Sequence, residues 1–562
     1  MDDRYSAKEQ SDWRTGVSVR TPVPTTLWEA LELRSRVSAD EHYVTCDDTS
    51  ASVGELRDLA LGLAGGFHAL GLVRGDRVAI VAESSVEVLV AHLACSRLGL
   101  VAVPINIFLK GDFLRYQLEH SGAVAAVVDQ PGLTSVSALE KLPDLRHTVL
   151  IAEGSSPDEG PIPWAQVIAS DPPPPMPAMS RADHAAIIYT SGTTGRPKGC
   201  IIPHGNFTVT SMALNEVGFV RMGDKLITPA PMFHMGFLGG MFASTLCAGA
   251  TLHTMRRFQA STFLDTARQV GATVIYAVGT IGMLLLAQPR GPRPPDPGRL
   301  RIALLPPLSP ASQVEFEERF GIPVLGENYG QSEFNVIAAA HVDQPRRRGS
   351  AGVAVSHAEV AVVDESGSLV APGEDGEIVV RPRKPDVMFQ GYWKDPDATL
   401  GTWRNLWHHT GDVGRLDIDG TLWITDRKKD VIRRRGENVS SVQVEETMRR
   451  LPAIEQVAVH AVPSDVGDDE IKACIVLKEG ATFDPKEMFA ALKAVMPYFS
   501  MPRYVEVLDA FPVNAVGRVQ KQVLRDRGIS NDTIDFEILG LTVDRVERRA
   551  GGPGPRGRTG EL

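Results

Sequence analysis

The sequence predicts an α/β chain of several subdomains, and three observations carry that prediction. Leu56, Leu59, Leu63, Phe67 and Leu70 recur at helical spacing and lead into Arg77-Val-Ala-Ile-Val-Ala82, a strand-like run, and this alternation continues to about residue 170. From about Ala351 the signal changes to short strands separated by Gly and Asp turns, as in Val360 to Gly367 and Gly376 to Val380, which marks a β-rich portion. A smaller α/β domain follows from about Asp430 to Arg527.

Taken in order, residues 1–22 are polar and expected to fray. The most apolar stretch, Leu89 to Leu109, is broken by His92, Arg97, Pro104 and Asn106 and reads as a buried helix and strand, with no membrane span. Asp171-Pro-Pro-Pro-Pro-Met-Pro177 is a stiff connector closing one subdomain, and Pro289 to Arg299 is a Pro/Gly-rich surface loop. No internal repeat is present. The last residues, Arg549 to Gly560, have the composition of a disordered tail.

With 562 residues the chain has room for three or four units of about 150 residues. Its 43% hydrophobic and 23% charged residues are those of a soluble globular protein. The net charge of −11 leaves no global basic field for nucleic acid or acidic lipid, so any anion site must be local. The five cysteines, Cys46, Cys95, Cys200, Cys247 and Cys474, lack C-x-x-C spacing, which argues against zinc and a disulfide framework. Together with an N-terminus lacking an apolar signal core, they imply a reducing cytoplasm.

Local anion chemistry is concentrated in Tyr189-Thr-Ser-Gly-Thr-Thr-Gly-Arg-Pro-Lys-Gly199, which follows the apolar run Ala185 to Ile188. After a buried strand, three glycines and four hydroxyls make a loop whose amides and side chains can face a phosphate, with Lys198 as the closing charge. Thr190, Ser191, Gly192, Thr193 and Thr194 are the candidate ligands. The spacing is not Gly-x4-Gly-Lys-Ser/Thr, which disfavours a nucleoside triphosphatase. A flexible linker would require neither the strand nor the Pro-Lys-Gly ending.

The eleven-residue string resembles the phosphate loop of the adenylate-forming superfamily, and further motifs of that family follow in order between about Thr25 and Leu524. The resemblance implies a large N-terminal domain of two α/β subdomains plus a β-rich subdomain over 23–428. A small mobile C-terminal α+β domain follows a hinge over 429–530, leaving an extension at 531–562. It also implies ATP or acyl-AMP, CoA and Mg2+ as ligands. Pro231-Met-Phe-His234-Met-Gly236 is similar to the segment between the acyl pocket and the pantetheine tunnel, with His234 as gate; a core histidine is the alternative. In Asn328-Tyr-Gly-Gln-Ser-Glu333 the resemblance makes Tyr329 the adenine partner, Ser332 the α-phosphate ligand and Glu333 the magnesium ligand.

Asp412, in Trp407-His-His-Thr-Gly-Asp412, matches the carboxylate that accepts both ribose hydroxyls. Arg427 matches the ribose or phosphate ligand and Lys429 the hinge pivot. Arg433-Arg-Arg-Gly-Glu-Asn-Val-Ser440, with Arg433 and Gly436, is similar to the hairpin that reaches the site for thioester formation; a solvated charge run is the alternative. Its Gly-Glu-Asn-Val-Ser form resembles that of carnitine- and fatty-acid-type CoA ligases. No carrier-protein domain is evident after it, which favours free CoA as acceptor.

Two stretches depart from the family pattern. In Pro512-Val-Asn-Ala-Val-Gly517-Arg518-Val-Gln-Lys521, arginine stands where the adenylation lysine is expected, and a planar fork is not equivalent to a compact ammonium at a tight site. Removing one well-aimed cation from such a transition state costs about 10²–10³ in rate. Leu304-Leu-Pro-Pro-Leu308 replaces a Gly-Gly-Ala-Pro-Leu stretch that wraps adenine. The expectation is an acyl-CoA ligase whose adenylation is impaired at Arg518 and which thioesterifies a preformed acyl-AMP from a separate adenylating enzyme. A complete two-step ATP-dependent ligase is the alternative, with a luciferase-like oxidase or a non-catalytic adenylate-binding relative from other classes. The apolar, glycine-rich segments His234 to Met241 and Val278 to Thr280 imply a bulky hydrophobic acid.

Overall fold

The computed structural model describes residues 9–11, 18–20, 23–139, 142–151, 160–190, 196–289, 297–427, 431–435, 437–464, 467–512 and 519–543. Two seven-stranded sheets carry the large domain. The first runs Lys198–Pro203, His184–Thr190, Val101–Pro104, Arg77–Val81, Ala123–Val128, His147–Leu150, Ile162–Pro163, parallel throughout except for the first pair. Strands of a parallel sheet are covered on both faces, so they read as unbroken apolar runs; all six residues of Ala123–Val128 are buried.

The crossover helices begin and end where local chemistry directs. Ser52 and Glu55 form a reciprocal capping box that starts helix Val53–Ala69, and Gly99, at φ 71°, ends helix Val86–Leu98 in the left-handed conformation. Every residue of Val86–Leu98 except Glu87 is buried, and strand Val101–Pro104 follows, as the Leu89 to Leu109 stretch predicts. The proline connector carries no regular element and lies over helix Val53–Ala69, where a Cβ on Gly65 would fall 2.0 Å from Asp171 O.

The second sheet runs Val324–Leu325, Ile302–Leu304, Val274–Tyr276, Lys225–Thr228, Thr251–Thr254, His42–Cys46, Thr49–Ser52, with only the last pair antiparallel. A third, antiparallel sheet supplies the β-rich portion, with Trp407–Leu416 and Thr421–Arg427 at its centre. Beyond it stand the hairpin Val431–Arg434/Glu437–Ser440 and a sheet of Ile454–Pro463, Asp469–Leu477, Tyr504–Val507 and Ile534–Asp535. Among the described residues no helix is long and apolar enough to cross a membrane.

Both ends differ from the sequence reading. Within the expected frayed N-terminus, Glu9–Ser11 and Ser18–Arg20 pair as antiparallel strands, a ladder that needs only backbone groups. The extension assigned from 531 belongs in part to the small domain: Ile534–Asp535 pairs with Tyr504–Val505, and Phe536 is fully buried in edge contact with Phe489. Ile534, Phe536 and Ile538 alternate with Asp535 and Glu537, a short period-2 signal that the sequence reading passed over when it ended the small domain at 530. The expected disordered tail, 549–560, lies outside the described residues.

Candidate active site

Four strand ends, one mid-strand position and one hairpin carry the candidate residues. Tyr329 ends the short strand Asn328–Tyr329, while Asp412 lies midway along Trp407–Leu416, in the same sheet. The Tyr329 hydroxyl donates to Asp412 Oδ2 at 2.6 Å, and Gln331 Nε2 donates to the same oxygen at 2.8 Å. Two donors on one buried carboxylate fix its plane, as a group presenting oxygens to a diol requires. Arg427, at the end of Thr421–Arg427, is the backbone partner of Asp412.

At the predicted phosphate loop, Thr190 is the last residue of strand His184–Thr190 and pairs across the ladder with Lys198, the first residue of Lys198–Pro203. Ser191, Gly192, Thr193 and Thr194 lie outside the described residues, as do Lys429, Gly436 and Arg518. Lys198 Nζ sits 4.8 Å above the Tyr392 ring, a cation–π contact. The Tyr392 hydroxyl donates to Glu333 Oε1 at 2.7 Å. Burial, and then the Glu333 charge, hold the Tyr392 phenol far above its ordinary range, so it remains the donor in this pair. Ser332 is half-buried beside them.

Among the described residues no group of three or more His, Cys, Asp or Glu side chains could hold a metal ion. A lone carboxylate such as Glu333 nevertheless fits Mg2+, which takes one or two carboxylates and completes its shell with phosphate oxygens and water.

His234 is not a core histidine: its side chain is 39% exposed, and Nε2 lies 3.3 Å from Glu437 Oε1 on the small-domain hairpin. Arg433 sits in that hairpin opposite Asn438. The Arg433 backbone N–H donates to Asp469 Oδ2 at 3.0 Å, and its guanidinium Nε is 3.9 Å from Asp468 Oδ1. Asp468 also accepts from Thr280 Oγ1 at 3.1 Å. The basic stretch is therefore docked on the large domain through its acidic neighbours. Phe108 against Tyr498, at 4.9 Å, and the ion pair Arg450–Asp112 hold the same interface farther out.

The segment after His234 forms a π-helix, Gly236–Phe242, a geometry frequent at functional sites. Its glycines differ in surroundings. A Cβ on Gly239 would lie 2.1 Å from Asn335 Nδ2, and one on Gly240 3.2 Å from the Tyr276 ring, whereas one on Gly236 would meet nothing within 4 Å. The Leu304 to Leu308 departure is accommodated by a glycine on the facing helix: a Cβ on Gly279 would lie 1.7 Å from Pro307 O. Close approach is supplied from Gly279–Leu286 while Leu304, Leu305 and Leu308 are buried.

Sequence reasoning missed Glu437, Gln331, Asp468 and Tyr392. Glu437 and Gln331 lie inside strings already singled out, so position in the motif could have found them. Tyr392 lies in Phe389-Gln-Gly-Tyr-Trp393, with no charge or periodicity to mark it.

The chain matches the family model "AMP-binding enzyme" over residues 31–393 and "AMP-binding enzyme C-terminal domain" over 443–518. It is 32% identical over 500 residues to a feruloyl-CoA synthase of Amycolatopsis sp, covering 88% of this chain and 97% of that protein. It is 31% identical to a crotonobetaine/carnitine–CoA ligase of Salmonella paratyphi C, covering 82% and 90%. Among solved structures, an anthranilate CoA ligase in complex with anthranoyl-AMP superposes with a TM-score of 0.69 at 26% identity, covering 90% of this chain and 98% of that one.

Proposed function

This chain belongs to the AMP-binding enzyme family, and from that membership and the site geometry we propose that it joins a bulky hydrophobic carboxylic acid to CoA through an acyl-adenylate, with adenylation impaired. In the first half-reaction of such a ligase a carboxylate oxygen attacks the α-phosphorus of ATP and pyrophosphate leaves. In the second, the CoA sulfur attacks the acyl carbon, and AMP leaves with the carboxyl oxygen.

In this reading Tyr329 and Asp412 hold the nucleoside, Arg427 supports the ribose or phosphate, and Thr190 to Thr194 with Lys198 and Ser332 cradle the phosphates. Glu333 would hold Mg2+, which supplies charge neutralisation on the phosphates. Lys429 is the pivot, and Arg433 and Gly436 line the path of the thiol that His234 gates.

The observation that carries the reading is the contact between His234 Nε2 and Glu437 Oε1 at 3.3 Å. It supports an arrangement in which the small-domain hairpin faces the acyl end of the site. In this reading Arg518 bears on the first half-reaction and not on the second. An adenylate supplied by a separate adenylating enzyme would enter the cycle at that point. The apolar π-helix, with open space at Gly236, favours a bulky acid.

Single-turnover thioester formation tests the proposal. Wild type and Arg518→Lys are compared with acid, ATP, Mg2+ and CoA, and with synthetic acyl-AMP and CoA, over a panel of apolar acids. Product from acyl-AMP alone, with ATP-driven product appearing in Arg518→Lys, is expected. Efficient wild-type turnover from ATP would identify a complete two-step ligase, and oxygen-dependent consumption of acyl-AMP without CoA would identify an oxidase.

A further inference from the structure

We propose that Tyr392 is a positioning residue that ties the phosphate-loop lysine to the metal carboxylate, through its ring beneath Lys198 and its hydroxyl on Glu333. The inference rests on the family reading of Lys198 and Glu333 and extends it to a residue that neither motif contains.

The geometry is unusual for a core tyrosine. Tyr392 is buried, and its hydroxyl satisfies itself on a carboxylate, Glu333 Oε1 at 2.7 Å, in place of a main-chain carbonyl. A hydrogen bond to a charged acceptor is shorter and stronger than a neutral one, and it fixes the rotation of the carboxylate. The opposite contact comes from the ring, whose face lies 4.8 Å from Lys198 Nζ. One side chain therefore touches two groups that are 135 residues apart in sequence and must act on the same triphosphate.

The backbone around Tyr392 explains its fixed position. Gln390 N–H donates to Ile201 O, Ile201 N–H to Gly391 O and Trp393 N–H to Gly199 O, so the segment is laced onto strand Lys198–Pro203 at 2.7–3.0 Å. Phe389 N–H donates to Glu333 O at 2.8 Å, and Tyr392 N–H to Thr399 Oγ1, also at 2.8 Å. Phe389–Trp393 is thus a strap joined by its main chain to both the phosphate-loop strand and the Glu333 segment. An outer partner that orients a metal ligand typically changes metal affinity by about 10–100-fold when removed.

Calorimetric binding of ATP to the full chain, with and without Mg2+, tests the role independently of turnover. Tyr392→Phe keeps the ring and removes only the hydroxyl. The gain in ATP affinity from Mg2+ is expected to fall about tenfold in this variant, while Mg2+-free AMP affinity stays within about twofold of wild type. In a Glu333→Gln background, Tyr392→Phe is expected to produce no further loss. An unchanged Mg2+ gain in Tyr392→Phe, equal losses of AMP and Mg2+-ATP binding, or a full further loss in the Glu333→Gln background would each overturn the proposal. Wild type that binds neither ATP nor AMP would instead overturn the reading of the whole site, and this inference with it.

Discussion

Lys521 Nζ lies 2.7 Å from Glu445 Oε1, and it also donates to Ser441 Oγ and Val459 O at 3.2 Å. All three partners belong to the small domain: the first turns of helix Ser441–Met448 and the strand Ile454–Pro463. The lysine nearest in sequence to Arg518 is thus committed to internal structure. Three residues of separation already change the direction of a side chain, and this anchorage fixes Lys521 where it stands.

Lys521→Ala should therefore destabilise the small domain by about 1.5–3 kcal/mol, the worth of hydrogen bonds to a charged group, without changing the ratio of the two half-reactions. Urea unfolding and paired single-turnover assays would measure both. A selective loss of ATP-driven product in Lys521→Ala would show that this lysine, and not position 518, serves adenylation.

Glu437→Gln tests the docked hairpin. It removes the negative charge facing His234 Nε2 while keeping the volume, and Glu437 itself is buried. If the hairpin shapes the thiol path, transfer from acyl-AMP to CoA should slow by about tenfold while AMP affinity is unchanged, since about 1.4 kcal/mol is a factor of ten. Rapid-quench transfer rates alongside calorimetric AMP affinity are the measurement.

Local elements and long-range contacts differ in how legible they are in the sequence. The strand before the phosphate loop, the buried helix Val86–Leu98 and the change to short antiparallel strands were all legible, because burial on both faces and turn chemistry leave local marks. The pairing of Tyr329 with Asp412 spans 83 positions, and that of His234 with Glu437 spans 203. Such contacts depend on how the sheets and the small domain meet, which no local pattern encodes. Phe536 shows the same limit: alternation with Asp535 and Glu537 marks a strand, but its burial depends on that strand pairing with residues about thirty positions earlier.

Acyl size should be set at Gly236. Since a Cβ there meets nothing within 4 Å, Gly236→Ala adds volume to open space without a clash. The expected outcome is a fall of more than about tenfold in kcat/KM for bulky acyl-adenylates, with short ones spared, because added bulk in a pocket is worth about 1–3 kcal/mol. Gly239→Ala should behave differently: its Cβ would collide with Asn335 Nδ2 at 2.1 Å, lowering thermal stability for every substrate alike. A panel of acyl-AMP chain lengths with both variants, alongside melting curves, separates the two effects.

Acid should weaken the fold before it reaches the carboxylates. His92, His204 and His357 are buried, and burial lowers each imidazole to about 4. Among the described residues His92 Nε2 and both nitrogens of His204 have no hydrogen-bond partner, whereas His357 Nε2 donates to Val336 O at 3.0 Å. An unfolded histidine titrates near 6.5, so between pH 6.5 and 4 the unfolded chain binds more protons than the folded one. Stability from these groups is complete above pH 6.5 and is lost as pH falls through that window. From pH 7.5 to 5.5 each should cost about 1.3 kcal/mol, roughly 4 kcal/mol together. His92→Gln removes one titration, so its urea unfolding free energy, followed by tryptophan fluorescence, should fall by about 1.3 kcal/mol less than that of wild type over the same range. An equal fall in both proteins would mean that His92 takes up its proton in the folded state, and that water or a rotated partner reaches Nε2.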